Sequence, residues 1–292
     1  MRRLVIGCGY IGRATAQAWA GQGDIVYAMT RSQDRAEDFK EAGWHPVVAD
    51  ITDVRSLPEV PEVDTVLFAV GMDRSRYDSI REVYVNGLAN IISWLPETID
   101  QLIYVSSTGV FGQSNGEEIN ESSPAEPVRE GGRACLEAER LLANSRFGDR
   151  STILRLAGIY GPGRIPSLQK IKGRAWTTLN PDGHINLIHR DDAVTAILKT
   201  AELGIKGEMI LVSDGVAPLR RDYYQLLADM YGQGPIDWDA NQLAPEAGDG
   251  SHRRSAGNGK RVMNGRMKEL LKFELRWSDL RAGIQNAVGL DE

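Results

Sequence analysis

The feature that most constrains this chain lies near its beginning. A short apolar run, Leu4-Val5-Ile6, leads directly into Gly7-Cys8-Gly9-Tyr10-Ile11-Gly12. Small and apolar residues then recur at Ala14, Ala16, Ala18 and Trp19. A buried strand, a tight glycine turn and a helix account for this order. Gly7 permits the turn, Gly9 lets a ligand approach the backbone, and Gly12 allows close helix–strand contact. Tyr10 and Ile11 complete the turn. The helix start offers free N–H groups and the positive end of the peptide dipoles to phosphates. The turn therefore predicts dinucleotide binding in preference to a purely structural role.

The end of the second strand reports on the cofactor. Residues 25–29 read as that strand, and Thr30-Arg31-Ser32 follow. An NAD site usually carries an acid here for the ribose hydroxyls. No acid is present, and Arg31 can pair with a 2′-phosphate. NADP(H) is favoured, with NAD as the alternative. Asp50, followed by Ile51, ends the third strand. Its carboxylate is placed either to accept from the adenine amino group or to cap the turn Ile51-Thr52-Asp53.

Strand and helix signals alternate beyond the turn. Strands are predicted at 46–49, 65–70, 102–105 and 151–156, with helices at 36–42, 84–95 and 136–143. Apolar strands alternating with helices imply a parallel sheet covered on both faces. The expected fold class is α/β: a Rossmann-type doubly wound parallel sheet with a smaller C-terminal α/β substrate region. Gly161-Pro162-Gly163 punctuates the chain. Residues 1–160 are expected to form the dinucleotide-binding domain, with 184–202 returning to it, and 161–292 the smaller region. Within that region 191–201 and 219–231 read as helices and 209–212 as a strand. Residues 232–259 read as a mobile loop, and 266–284 return to helix and short extended segments.

Charge and cysteine content narrow the partners. The net charge of -6 disfavours a broad nucleic-acid face, so an RNA-binding role ranks low. Small basic clusters, Arg253-Arg254 and Lys260-Arg261, are sized for one phosphorylated ligand. Cys8 and Cys135 form no CxxC pair, which fits a reducing, cytoplasmic setting. The run at 4–6 is too short for a signal segment or membrane span. No His/Cys/Asp cluster has metal-ligand spacing.

Several further segments, in order, carry a more specific likeness. They are Ala69-Val70-Gly71, Val85-Asn86-Gly87-Leu88-Ala89-Asn90 and Tyr104-Val105-Ser106-Ser107-Thr108-Gly109-Val110-Phe111-Gly112. Leu154-Arg155-Leu156-Ala157-Gly158-Ile159-Tyr160-Gly161-Pro162-Gly163 and Asn186-Leu187-Ile188-His189-Arg190-Asp191-Asp192-Ala193 complete the series. With the Gly7–Gly12 turn, the chain resembles the NAD(P)-dependent nucleotide-sugar epimerase/dehydratase group of the extended short-chain dehydrogenase/reductase superfamily. The resemblance implies that Ala69, Val70, Gly71, Asn86 and Ser106 lie along the cofactor. It implies that Ser107 hydrogen-bonds a substrate oxygen, and that the C-terminal region shapes specificity for a nucleotide sugar. It also implies a homodimer through the helices at 84–95 and 136–143.

One segment departs from the family. Its chemistry rests on a Tyr-x-x-x-Lys pair, with the tyrosine as acid/base and the lysine one turn later. Aligning Glu139 with the final glutamate of the family segment puts Gly131 on the tyrosine and Cys135 on the lysine. Glycine carries no proton to transfer, and a cysteine is not cationic. Cys135 reads as a buried inert thiol in preference to a reactive thiolate. Tyr160 and His189 read as packing residues before catalytic ones. Two functions stand side by side: an epimerase/dehydratase-like enzyme with an atypical active site, and a catalytically silent NADP(H)-binding sensor or partner-binding module.

Overall fold

The computed structural model describes residues 1–73, 75, 79–238 and 259–289. The first half alternates strand and helix: β1 (Arg2–Ile6), α1 (Tyr10–Gly21), β2 (Ile25–Thr30), α2 (Gln33–Glu41), β3 (His45–Val48) and β4 (Thr65–Phe68). A π-helical turn over Glu82–Asn86 continues as α3 (Gly87–Trp94). Then come β5 (Gln101–Ser107), β6 (Asn115–Ile119), α4 (Glu130–Ala143) and β7 (Ser151–Leu156). The second half holds β8 (Gly158–Tyr160), α5 (Leu168–Lys172), β9 (Leu187–His189), α6 (Arg190–Glu202), β10 (Glu208–Val212) and α7 (Arg220–Met230). It ends with β11 (Gly259–Val262), α8 (Gly265–Leu271) and α9 (Leu280–Val288). Most of the loop expected at 232–259 lies outside the described residues.

Seven strands form one sheet in the order β10-β7-β5-β4-β1-β2-β3, every neighbouring pair parallel. The α/β, doubly wound architecture expected from the alternation is present. β10, from the stretch assigned to the smaller region, closes one edge. The strand order reverses between β1 and β4, which opens a crevice beyond their C-terminal ends.

Both faces of the sheet are buried, which explains the near-continuous apolar runs. Leu4 and Ile6 point to one face, packing with Leu88, Ile91, Ala138 and Leu142. Val5 points to the other, with Ala16, Trp19 and Ile197. Each fully buried Leu, Ile or Val side chain contributes about 1.5–3 kcal/mol. A separate core around Tyr160, Leu187, Tyr223, Leu227 and Ile284 holds the C-terminal elements together. Two small parallel sheets, β8–β9 and β6–β11, connect these elements to the large one.

The helix expected at 136–143 starts earlier, at Glu130. Its first turn contains Gly131 and Gly132. Gly132 is there because a Cβ would lie 2.2 Å from the Gly109 carbonyl oxygen. Further along α4, buried Glu139 accepts from Arg155 Nε at 3.0 Å and Nη2 at 2.6 Å, and from Ser106 Oγ at 2.5 Å. This ion pair joins α4, β5 and β7 directly behind the crevice. Glu139→Ala strands a buried guanidinium, so we expect a loss of about 3–5 kcal/mol. Urea unfolding monitored by circular dichroism measures it; a loss under about 1 kcal/mol would contradict this account.

Candidate functional site

The glycine turn is built by close backbone contact. Gly7 has φ +91°, and a Cβ there would sit 2.6 Å from the Ala69 carbonyl oxygen. A Cβ on Gly12 would sit 2.2 Å from the Gly7 carbonyl oxygen. Gly9 is different: nothing lies within 4 Å of its Cβ position, so its backbone is open. No side chain caps the first turn of α1, which leaves its N–H groups directed at the crevice. Tyr10 donates to the Pro162 carbonyl oxygen at 3.0 Å, and the Arg164 and Arg190 guanidinium groups each lie 5.5 Å from its ring centre.

Two cavities meet at this turn. The first, about 460 Å³, is lined by Gly7, Gly9, Thr30, Arg31, Ser32 and Ile51. Val70 and Gly71 also border it. The second, about 380 Å³, shares Gly9, Val70 and Gly71 and continues past Tyr10, Ile11 and Ala69 to Ser106 and Ser107. Asp50 and Asn86 line neither cavity. Asp50 Oδ1 accepts from Thr52 N–H at 2.9 Å and from Thr52 Oγ1 at 2.7 Å, which is the turn-capping role foreseen for it. Asn86 is exposed on the π-helical turn.

Around the first cavity the strand end is organised by local bonds. Thr30 Oγ1 accepts from Ser32 N–H at 3.2 Å, and Ser32 Oγ caps α2 by accepting from Arg35 N–H at 3.4 Å. Arg31 Nη2 faces Asp73 Oδ2 at 3.2 Å. Sequence reasoning missed Arg35, which also lines this cavity and donates to the Cys8 carbonyl oxygen. Tyr84 was missed as well: it borders the second cavity and its hydroxyl accepts from Met72 N–H at 3.2 Å.

At the far end of the second cavity, Ser107 Oγ accepts from Gly109 N–H at 3.0 Å. Its own O–H is thereby left to donate outward. Ser106 is committed to Glu139. Cys135 borders the same cavity but is only 6% exposed. Burial, reinforced by Glu139 and opposed by a hydrogen bond with Ser106, pushes its thiol up to about 11. Burial likewise pushes Cys8 up to about 12 against the pull of Arg35 and Arg13. Both are neutral thiols near pH 7. Gly131 meets only Ile80 Cδ1, 3.4 Å from its Cβ position.

Tyr160 and His189 belong to the C-terminal core. Both are fully buried, with rings packed edge to face at 5.1 Å. His189 Nδ1 accepts from Asp191 N–H at 3.2 Å, which caps α6. Among the described residues no His/Cys/Asp/Glu group is arranged to hold a metal ion. None of the described helices is long and apolar enough to cross a membrane.

Residues 3–212 match the model of the NAD dependent epimerase/dehydratase family. The chain belongs to this family. It is 27% identical to protein YeeZ of Escherichia coli K12 over 94% of this chain and 96% of that one. Its fold matches a functionally unknown conserved protein from Silicibacter pomeroyi, with TM-score 0.74, 25% identity and 97% and 96% of the two chains covered. It also matches MoeE5, solved with UDP-glucose and NAD, at TM-score 0.75 and 20% identity over 99% and 98% of the chains. The glycine turn and the crevice at the strand-order reversal thus sit on a family fold shared along nearly the whole chain.

Burial pulls His189 down to about 4, outweighing the opposing charge of Asp191. An unfolded histidine titrates near 6.5. The unfolded chain therefore binds more protons between these values. The stability His189 contributes is fully present above pH 6.5 and is lost as pH falls toward 4. An NMR titration of its ring should show a midpoint below about 5; a midpoint at or above the unfolded value would refute the assignment.

Proposed function

We propose that this chain binds a nicotinamide dinucleotide, NADP(H) in preference to NAD, and takes a nucleotide sugar or related polar substrate over Ser107. The observation that carries the reading is the pair of cavities joined at Gly9, Val70 and Gly71. Together they run from Arg31 to Ser107 across an uncapped helix start. This course suits an adenosine in the first cavity, a diphosphate at Gly9 and a nicotinamide end in the second. The fit rests on chemistry: open backbone where phosphates must approach, and Arg31 and Arg35 where a 2′-phosphate would lie. In this reading residues 1–160, with 184–202, hold the cofactor and 161–292 shape the substrate side. MoeE5 has been solved with UDP-glucose and NAD and with UDP-glucuronic acid and NAD, which supports the substrate class.

When bound, the dinucleotide supplies a hydride acceptor or donor. The chain's own part is to hold it at Gly9, to orient the substrate by the Ser107 O–H, and to exclude water with Leu156, Ala157 and Ile159. In the alignment that carries the family resemblance, Gly131 and Cys135 stand where the Tyr/Lys pair would act. A proton-transfer contribution of about 100- to 10,000-fold is then absent from α4. The neutral, buried Cys135 thiol favours a second reading, a catalytically silent module that senses the redox state of its dinucleotide.

Calorimetry separates these claims. Arg31→Ala should weaken NADP(H) about 10- to 100-fold, the effect of removing a charge-assisted hydrogen bond, and leave NAD affinity within about twofold. Tighter binding of NAD than of NADP by the native chain would overturn the cofactor preference. Turnover of a nucleotide-sugar panel with NADP⁺, followed at the nicotinamide absorbance and by product analysis, distinguishes enzyme from module. Cys135→Ala should leave any turnover unchanged; its loss would make the thiol catalytic.

A further inference from the structure

Among the described residues six buried side-chain polar atoms have no hydrogen-bond partner, and four of them gather where α9 closes on the C-terminal core. They are Tyr160 Oη, His189 Nε2, Trp277 Nε1 and Asn286 Oδ1. Distances join them. The His189 ring lies 5.1 Å from the Tyr160 ring and 5.0 Å from the Trp277 ring. Asp192 brings Trp277 there, its carboxylate accepting from the Arg276 and Trp277 N–H groups at 2.8 and 3.0 Å. Gly283 of α9 presses on the Tyr160 hydroxyl so closely that a Cβ would sit 2.2 Å from it. Asn286 follows one turn later on the same face of that helix. Its side chain also faces the His189 ring, outside hydrogen-bond geometry.

The four atoms have complementary roles. His189 Nδ1 accepts from Asp191 N–H, so the neutral ring carries its proton on Nε2 and donates there. The Trp277 indole N–H can only donate, and Asn286 Oδ1 can only accept. The Tyr160 hydroxyl can do either. Native interiors seldom leave such groups bare, because each unpaired one carries its full desolvation cost. Two donors and two acceptors are together the complement of a single water, which accepts twice and donates twice.

We infer that Tyr160, His189, Trp277 and Asn286 form a binding site for one internal water molecule, which accepts from His189 and Trp277 and donates to Asn286 and Tyr160. Bound there, the water ties the end of β8, the start of α6 and the Arg276–Trp277 segment to α9. This helix carries Ala287 and Val288 to the wall of a third cavity, about 610 Å³, which Gly158, Ile159 and Arg164 also line. The same three residues border the cavity that reaches Ser107. The water is thus a keystone for a helix beside the cleft, whichever ligand fills that cleft.

The test compares Tyr160→Phe and Asn286→Leu with the native full chain. Each variant removes one partner of the water with little change of shape. With the water bound, the remaining groups are left short of a partner, and each variant should lower Tm by about 2–4 °C. Amide exchange within α9 should quicken about fivefold or more. A dry cluster responds in the opposite sense, because deleting an unpaired polar atom removes a cost. An unchanged or raised Tm in both variants would therefore overturn the inference. Magnetisation transfer from water to the Trp277 indole N–H reads the site directly, and the native chain should show the cross-peak of a long-lived bound water. A high-resolution crystal structure in which Asn286 bonds His189 directly, with no water between the four atoms, would also overturn it.

Discussion

Backbone meets backbone where α1 leaves β1, and the rest of the cleft depends on that contact. The Gly7 carbonyl lies against Gly12, and Gly7 itself lies against the Ala69 carbonyl at the end of β4. Side chains at either position would push α1 away from the crevice between β1 and β4. Held this close, the helix starts directly over the strand ends with its N–H groups uncapped. The Tyr10 hydroxyl then reaches the Pro162 carbonyl, so the turn also fixes the position of the chain entering the C-terminal region. One tight turn thus sets the wall of the first cavity and the entry to the C-terminal elements together.

Charge is distributed unevenly around this frame. Behind the crevice Glu139 and Arg155 neutralise each other in a dry setting, where breaking the pair costs far more than making it gains. At the outer cavity Arg31 and Asp73 form an exposed pair, worth little and easily exchanged. A phosphate dianion offers Arg31 a stronger partner than Asp73, so the pair is consistent with a ligand-responsive contact. The molecule is acidic overall, yet Arg31 and Arg35 line the first cavity and Arg164 the second, a pattern suited to drawing in a phosphorylated ligand.

The strands of the large sheet were legible because burial on both faces leaves unbroken apolar runs, as in Leu4–Ile6 and Val66–Phe68. The glycine turn was legible because its spacing encodes a steric need. Other elements were hidden for equally physical reasons. β6 reads Asn-Gly-Glu-Glu-Ile, an exposed strand held by pairing with β11 and not by its own hydrophobicity. The start of α4 was masked by two glycines, of which Gly132 has its value in a tertiary contact with Gly109. Asp50 carried two readings that sequence could not separate, and its Oδ1 makes the bonds of the capping one with Thr52. Arg35 and Tyr84 enter the site by the winding of α2 and the π-helical turn, which local patterns do not report.

The remaining chemistry is best weighed residue by residue. A family acid/base must offer a titratable proton beside the substrate and a cation beside the cofactor ribose. Gly131 offers neither, and the Cys135 proton is held tightly by burial. Ser107 retains a donor hydrogen because its oxygen is already used by Gly109, so it can polarise a substrate oxygen without accepting a proton. Burial and the charges of Arg129 and Arg220 push the Lys260 amine down to about 8, and its Nζ is anchored on the Phe111 carbonyl oxygen. On the alignment that carries the family resemblance, α4 offers no proton-moving pair beside the surfaces proposed to bind and orient, so for this chain a turnover measurement carries more weight than family membership does.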